Sequence, residues 1–230
     1  METVRNARLL PQEVLKLLAC VTMLIDHIGA MLYPADMNLR LIGRLAFPIY
    51  CFLLSQGVKH TQKPGRYLLR MGICMVLSEI PYDLLFYGKL TGEAQSVMVT
   101  LLLGLCMGLL MQRLKYWPLK ALVVLPFAFL ADILHSDYAA WGIVMMALFL
   151  LLETKGWQLA ALAAALLVLN WHIPSRQLPV GSFLMPLQAF AVVALVPVAL
   201  YSGRKLTHSR VVQWVFYLFY PAHLLILLLL

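Results

Sequence analysis

Nine apolar stretches of roughly bilayer-spanning length follow one another along the chain, at about 14–33, 42–58, 67–87, 96–113, 119–135, 139–153, 156–171, 184–201 and 212–230. A helix needs about 20 largely apolar residues to cross a bilayer, with about 17–25 usual. Backbone polar groups in lipid must be satisfied within the segment, so such a chain folds as helices. The pattern predicts an all-α integral membrane protein, a bundle of about nine transmembrane helices forming one domain over residues 1–230. The sixth and seventh stretches are short for this purpose. At 63% hydrophobic and 12% charged residues, the chain lies far from soluble domains, which are about 45–50% apolar and about 25% charged.

The net charge of +8 would suggest nucleic acid in a soluble protein, but no basic patch here carries interleaved aromatics. The positive charges instead sort by loop. With the N-terminus in the cytoplasm, the inner segments hold 14 of the 18 lysines and arginines: Arg5, Arg8, Lys16, Lys59, Lys63, Arg66, Arg70, Arg113, Lys115, Lys120, Lys155, Arg204, Lys205 and Arg210. Arg40, Arg44, Lys89 and Arg176 fall outside. That asymmetry follows the positive-inside rule and predicts a multi-pass protein of the bacterial cytoplasmic membrane, with its C-terminus outside. The first apolar run contains Asp26 and His27 and lacks a small-residue cleavage site, so it is read as a retained helix. Cys20, Cys51, Cys74 and Cys106 lie in apolar stretches without CxxC spacing, as packing residues rather than a disulfide or zinc framework.

Ionisable residues inside hydrocarbon are costly and mark function by default. His27 lies 13 residues beyond the start of the first helix, about 20 Å into a core of about 30 Å. Asp26 and His27 therefore sit in its outer half. Arg40 and Arg44 open the second helix four residues apart, on one face. Glu79 and Asp83, also four apart, close the third, where Pro81 is expected to open the backbone. Asp132 and His135 end the fifth, followed by Asp137 and Tyr138. Gln213, Tyr217, Tyr220 and His223 form a stripe on the ninth, where Pro221 predicts a kink. All of these are expected to converge just below the outer surface. Simpler roles stand beside the functional ones: Asp83, His135, Asp137 and Arg176 as interfacial groups, Arg40 as a snorkelling side chain, and Tyr33, Trp117, Tyr138 and Trp171 as interface anchors. His60 and His208 read as solvated loop residues. Gly104 and Gly108, four apart, fit close helix packing, and no metal site has convincing spacing.

Four segments carry a resemblance. LKLLACVTMLIDHIGAMLYP (15–34), RLIGRLAFPIYCFLLSQGVKHTQ (40–62), RYLLRMGICMVLSEIPYDL (66–84) and VFYLFYPAHLLILLLL (215–230) together resemble the TraX family of membrane acyltransferases. A D-H pair, a G-R-x-A-F-P motif and an F-Y-x-x-Y-P-x-H motif occur in that order. The resemblance implies transfer of an acyl group, acetyl in the simplest case, from cytoplasmic acyl-CoA to an amine or hydroxyl near the outer face; the founding member N-acetylates pilin. The acceptor stays open among a peptide, a small molecule and a glycan, with membrane lipids as the surroundings. By the same resemblance Asp26 and His27 match the D-H pair, Arg44 the G-R-x-A-F-P motif, Glu79 the third-helix region, and Tyr220 and His223 the closing motif. His27 is the candidate general base, with Asp26 and His223 as further catalytic candidates. Arg40, Arg44, Glu79, Asp83, Asp132 and Tyr220 are the candidate substrate-binding residues. The rival class is a proton-coupled transporter, which also uses intramembrane His, Asp, Glu and Arg.

Overall fold

The computed structural model describes residues 9–173, 175–180, 183–207 and 209–230. Arg5, Arg8 and His208 lie outside the described residues. In chain order the helices are α1 (Gln12–Met31), α2 (Met37–Gly43), α3 (Ala46–His60), α4 (Pro64–Tyr87), α5 (Val97–Arg113), α6 (Trp117–Ile133), α7 (Ala139–Leu151) and α8 (Gly156–His172). Two short strands follow, β1 (Gln177–Val180) and β2 (Phe183–Pro186), paired antiparallel with Leu178 opposite Met185. A 3-10 helix (Leu187–Ala194), α9 (Leu195–Ala199) and α10 (Arg210–Leu228) complete the chain.

The helical character follows the sequence, with two corrections. The eighth stretch, 184–201, is not one α-helix: it begins as β2 and continues as the 3-10 helix. Pro186 sits at the junction with φ −59° and ψ 132°; it has no N–H to donate and biases the residue before it towards extended backbone. Pro81 does not open its helix, since α4 runs through it, as α10 runs through Pro221. Among the described residues, three helical runs are long and apolar enough to cross a membrane by length and composition: Gln12–Met31, Met37–His60 and Arg210–Leu228. Val97–Arg113, Ala139–Leu151 and Leu187–Ala199 are shorter apolar helices.

Helix ends are set by ordinary chemistry. The Asp36 carboxylate accepts from Asn38 N at 2.9 Å to start α2, and Ser96 Oγ accepts from Met98 N at 3.3 Å to start α5. Pro64 opens α4, and Gly88 closes it in the left-handed conformation at φ +68°.

The chain divides into two compact units, one of the described residues up to Leu53 with Leu151–Val212, the other of Leu54–Leu150 with Gln213–Leu230. In the first, α1 packs on α2, and α8 on the 3-10 helix. One end joins the start of α1 to the segment before α10, through Gln12 N to Arg204 O (2.9 Å) and Leu206 N to Glu13 (2.8 Å). At the other end Arg176 donates to Pro34 O at 3.0 Å. In the second unit Gln95 N donates to His135 O and Asp137 N to Gln95 O. At the opposite ends of these helices, Gln112 donates to Val58 O (2.7 Å) and Lys59 to Phe149 O (3.2 Å).

Packing inside the second unit uses the small residues. A Cβ on Gly104 would lie 3.3 Å from Met146, and one on Gly108 would lie 3.0 Å from Val58 and 3.1 Å from Leu150. The two glycines therefore serve close helix packing, as their spacing suggested. Replacing Gly108 with leucine is expected to destabilise the protein by about 1–3 kcal/mol through overpacking, read as a lower melting temperature in a fixed detergent. An unchanged melting temperature would show that the contact yields freely.

Apolar side chains also face outward in helical order. On α4, Leu69, Ile73, Val76, Leu77 and Ile80 are all exposed, one row at intervals of three and four. On α6, Leu122, Leu125, Phe129 and Ile133 are exposed, and Ala131 is its one fully buried residue among those described. Helices that are apolar outward as well as inward belong against lipid or against a partner.

Candidate functional site

Asp26 lies on the face of α1 that meets α2, and α2 can approach because two positions lack side chains. A Cβ on Gly29 would fall 2.7 Å from Leu39 Cβ, and one on Gly43 would fall 2.0 Å from Asp26 Oδ1. Helix α2 ends at Gly43, and Arg44 caps it. The spacing of four then carries Arg40 and Arg44 to the same carboxylate.

The carboxylate is shared between them. Arg40 Nη1 lies 2.7 Å from Asp26 Oδ2 and Arg44 Nη2 lies 2.6 Å from Oδ1. Arg40 Nη1 also donates to the Asp26 carbonyl at 3.0 Å, and Arg44 Nε to the Arg40 carbonyl at 3.2 Å. Charge-assisted bonds this short are the strong kind. The Asp26 and Arg44 side chains are only 12% and 13% exposed. Arg44 is held from its other side by Gln188, whose Oε1 accepts from Nη1 at 3.0 Å. Gln188 Nε2 donates to Asn170 Oδ1 (3.1 Å), and Asn170 Nδ2 to Leu166 O (2.7 Å). His27, the next residue on α1, is half-buried. Adjacent helix positions point about 100° apart, and Asp26 directs both its oxygens to the arginines.

A second polar group lies within the other unit. Glu79 accepts from Ser96 Oγ at 2.6 Å and from Ser96 N at 3.2 Å. Tyr220 and His223 are both buried, with ring centroids 5.4 Å apart, edge to face, while Phe219 stacks on the His223 imidazole at 5.1 Å. The Nδ1 of His223 lies 2.8 Å from Phe219 O. A carbonyl can only accept, so Nδ1 carries the proton and a neutral ring offers Nε2 as acceptor. Asp83, one turn beyond Glu79, is buried; Oδ2 accepts from Thr91 N at 2.8 Å, while Oδ1 has no hydrogen-bond partner among the described residues.

The remaining candidates have plainer positions. Asp132 is exposed, and its Oδ1 accepts from Ala140 N at 2.9 Å at the start of α7. His135 is exposed with φ 47°. Tyr33, Trp117 and Trp171 are exposed, as interface anchors would be. His60 is exposed and its Nδ1 bonds Gln56 O at 2.8 Å.

The sequence did not single out Gln188, Asn170 or Ser96. Gln188 and Asn170 are neutral amides within apolar stretches and demand no charged partner there; Ser96 shows on paper only as a helix cap just before α5.

A family profile described as TraX protein matches residues 11–230. Two relatives show similarity. A "Probable fimbrial assembly protein FimC, serogroup H1" of Dichelobacter nodosus is 30% identical over 93% of this chain and 92% of its own length. An uncharacterized protein of Rickettsia prowazekii is 36% identical over 41% of this chain, which spans 35% of that protein. No solved structure matches.

Proposed function

The chain belongs to the TraX family, and from that premise we propose that it is a multi-pass acyltransferase of the bacterial cytoplasmic membrane. It takes an acyl group, acetyl in the simplest case, from cytoplasmic acyl-CoA. It delivers that group to an acceptor near the outer face. The observation that carries this reading is the Asp26 carboxylate shared by Arg40 and Arg44 inside an apolar helical hairpin, one residue from His27. Groups so costly to place in apolar surroundings are retained for chemistry. The joining of ends within each unit supports the alternating path of the helices, and the charge asymmetry of the loops supports an inner N-terminus.

In this reaction the acceptor's amine or hydroxyl attacks the thioester carbonyl while His27 takes its proton. The carbonyl oxygen gains negative charge, which the Arg44 guanidinium stabilises. As the C–O double bond reforms, the C–S bond breaks and coenzyme A leaves as a thiolate, which takes up a proton. Asp26 holds the guanidinium in place. Arg40, Glu79, Asp83 and Tyr220 contribute binding groups, and His223 offers a second acid-base nitrogen. The fimbrial assembly named for the Dichelobacter relative supports a pilin-type polypeptide over a small molecule or glycan as acceptor.

The test is turnover of labelled acetyl-CoA by the purified full-length protein in detergent, comparing wild type with His27→Ala. Loss of a general base is expected to cost about 100-fold or more with folding intact. Absence of turnover with peptide, hydroxyl and glycan acceptors, combined with substrate flux in proteoliposomes, would replace this reading with a proton-coupled carrier.

A further inference from the structure

Two buried amides lie behind Arg44, and we infer that Gln188, oriented by Asn170, is a positioning residue that sets the direction of the Arg44 guanidinium. The inference rests on the acyltransferase reading for its effect on turnover, but not for its geometry.

The direction of each bond is fixed from one end. The Leu166 carbonyl belongs to the backbone of α8 and can only accept, so the Asn170 group 2.7 Å away is its NH2. Asn170 therefore turns its oxygen towards Gln188, which must answer with its own NH2, at 3.1 Å. That leaves the Gln188 oxygen facing Arg44 Nη1, at 3.0 Å. A guanidinium has donors only, so no other orientation of the two amides satisfies all three contacts. Gln188 is 1% exposed and Asn170 fully buried, so water does not compete for these bonds. The Gln188 backbone is held as well, its N–H donating to Ser175 Oγ at 3.2 Å.

The chain of bonds gives Arg44 a third support, beside Asp26 on Nη2 and the Arg40 carbonyl on Nε. The Nε bond is long, at 3.2 Å, and lies on the side-chain stem. With Oε1 of Gln188 on Nη1, all three nitrogens are held and the plane of the guanidinium is set. Its direction matters because stabilising a developing oxyanion depends on donors already aimed at it.

The position separates orientation from packing, because the two roles rank substitutions in opposite order. Gln188→Met keeps length and volume but removes the acceptor. Gln188→Glu keeps the acceptor for Arg44 but places a charge in an apolar setting. If Gln188 served only to fill space, Met would be tolerated and Glu would not. As a positioning residue, Met is expected to lower kcat by about 100-fold, the scale of a misplacement near 1 Å, with KM for acetyl-CoA little changed. Glu is expected to stay within about ten-fold of wild type, since it still receives Arg44 through a charge-assisted bond, although it has no hydrogen to give Asn170. Asn170 supplies the second pair: Asn170→Asp can only accept, so it still directs Gln188 correctly, whereas Asn170→Leu cannot.

The decisive experiment combines this kcat and KM comparison with melting temperatures of Gln188→Met, Asn170→Leu and the double variant in one detergent. Shifts that fail to add show that the two amides act as one chain. Non-additive shifts with Met inactive and Glu active support the inference. Additive shifts, or a tolerated Met with an inactive but folded Glu, overturn it. If the wild type turns over no acyl-CoA, the acyltransferase reading fails by itself, and a second cycle of melting temperatures, Gln188→Met with Arg44→Ala, still decides whether the amide holds Arg44: additive shifts there overturn the inference.

Discussion

Gly43→Ala is expected to cost the protein both its turnover and much of its stability. The added Cβ would lie 2.0, 2.2 and 2.4 Å from Oδ1, Cβ and Cγ of Asp26. The carboxylate could swing aside, but the Asp26 Cβ moves only if α1 moves. Either α2 separates from α1 or Asp26 leaves its arginines. Overpacking alone costs about 1–3 kcal/mol, and dislodging a buried carboxylate from its partners costs about 3–5 kcal/mol. Gly72→Ala is the control: nothing lies within 4 Å of its position in α4, and alanine there is expected to be neutral or to stabilise by about 0.5–1 kcal/mol. Melting temperatures of the two variants in the same detergent, with acetyl-CoA turnover measured alongside, check both. A Gly43→Ala protein as stable and active as Gly72→Ala would mean that the two helices do not depend on this contact.

Asp26→Ala is expected to destabilise the protein by about 3–5 kcal/mol, because two largely buried guanidiniums would be left facing one another without their carboxylate. Asp26→Asn should fall close to it, since the charge is missing in both and an amide cannot accept on both sides. Removing one of the stranded cations should restore part of the loss. Asp26→Ala combined with Arg44→Ala is therefore expected to be less destabilised than the sum of the two single changes. Unfolding of the four proteins in one detergent decides this. A loss below about 1 kcal/mol for Asp26→Ala would put the pair in the range of solvent-exposed ion pairs.

The acidic and basic half of this site was legible because charge inside an apolar run demands a partner. Asp26 is the one carboxylate of the first stretch, and the spacing of Arg40 and Arg44 presents both on one face. Gln188 and Asn170 raise no such demand on paper. An amide is cheap enough to bury that it does not stand out, and its partner is another neutral group. The 3-10 geometry conceals Gln188 further. At 120° per residue, Gln188, Ala191 and Ala194 form a single row, and all three are buried. At the 100° of an α-helix the same residues spread over an arc of about 120°, so the row is less sharply drawn. Asp132 illustrates the opposite case, a carboxylate near a helix end whose visible contact is with the first turn of α7. The carboxylate of Glu79 was legible, but its bond to Ser96 was not, because the serine belongs to a connection between helices.

The outward row on α4, from Leu69 to Ile80, has a consequence for every melting curve. Burying such a row against alkyl chains is worth about 25 cal/mol for each Å² covered, and that contribution comes from molecules the gene does not encode. A melting temperature for this protein therefore belongs jointly to the chain and to the amphiphile around it. Changing the surfactant's tail length changes a binding partner, and two variants can be ranked only when that partner is the same.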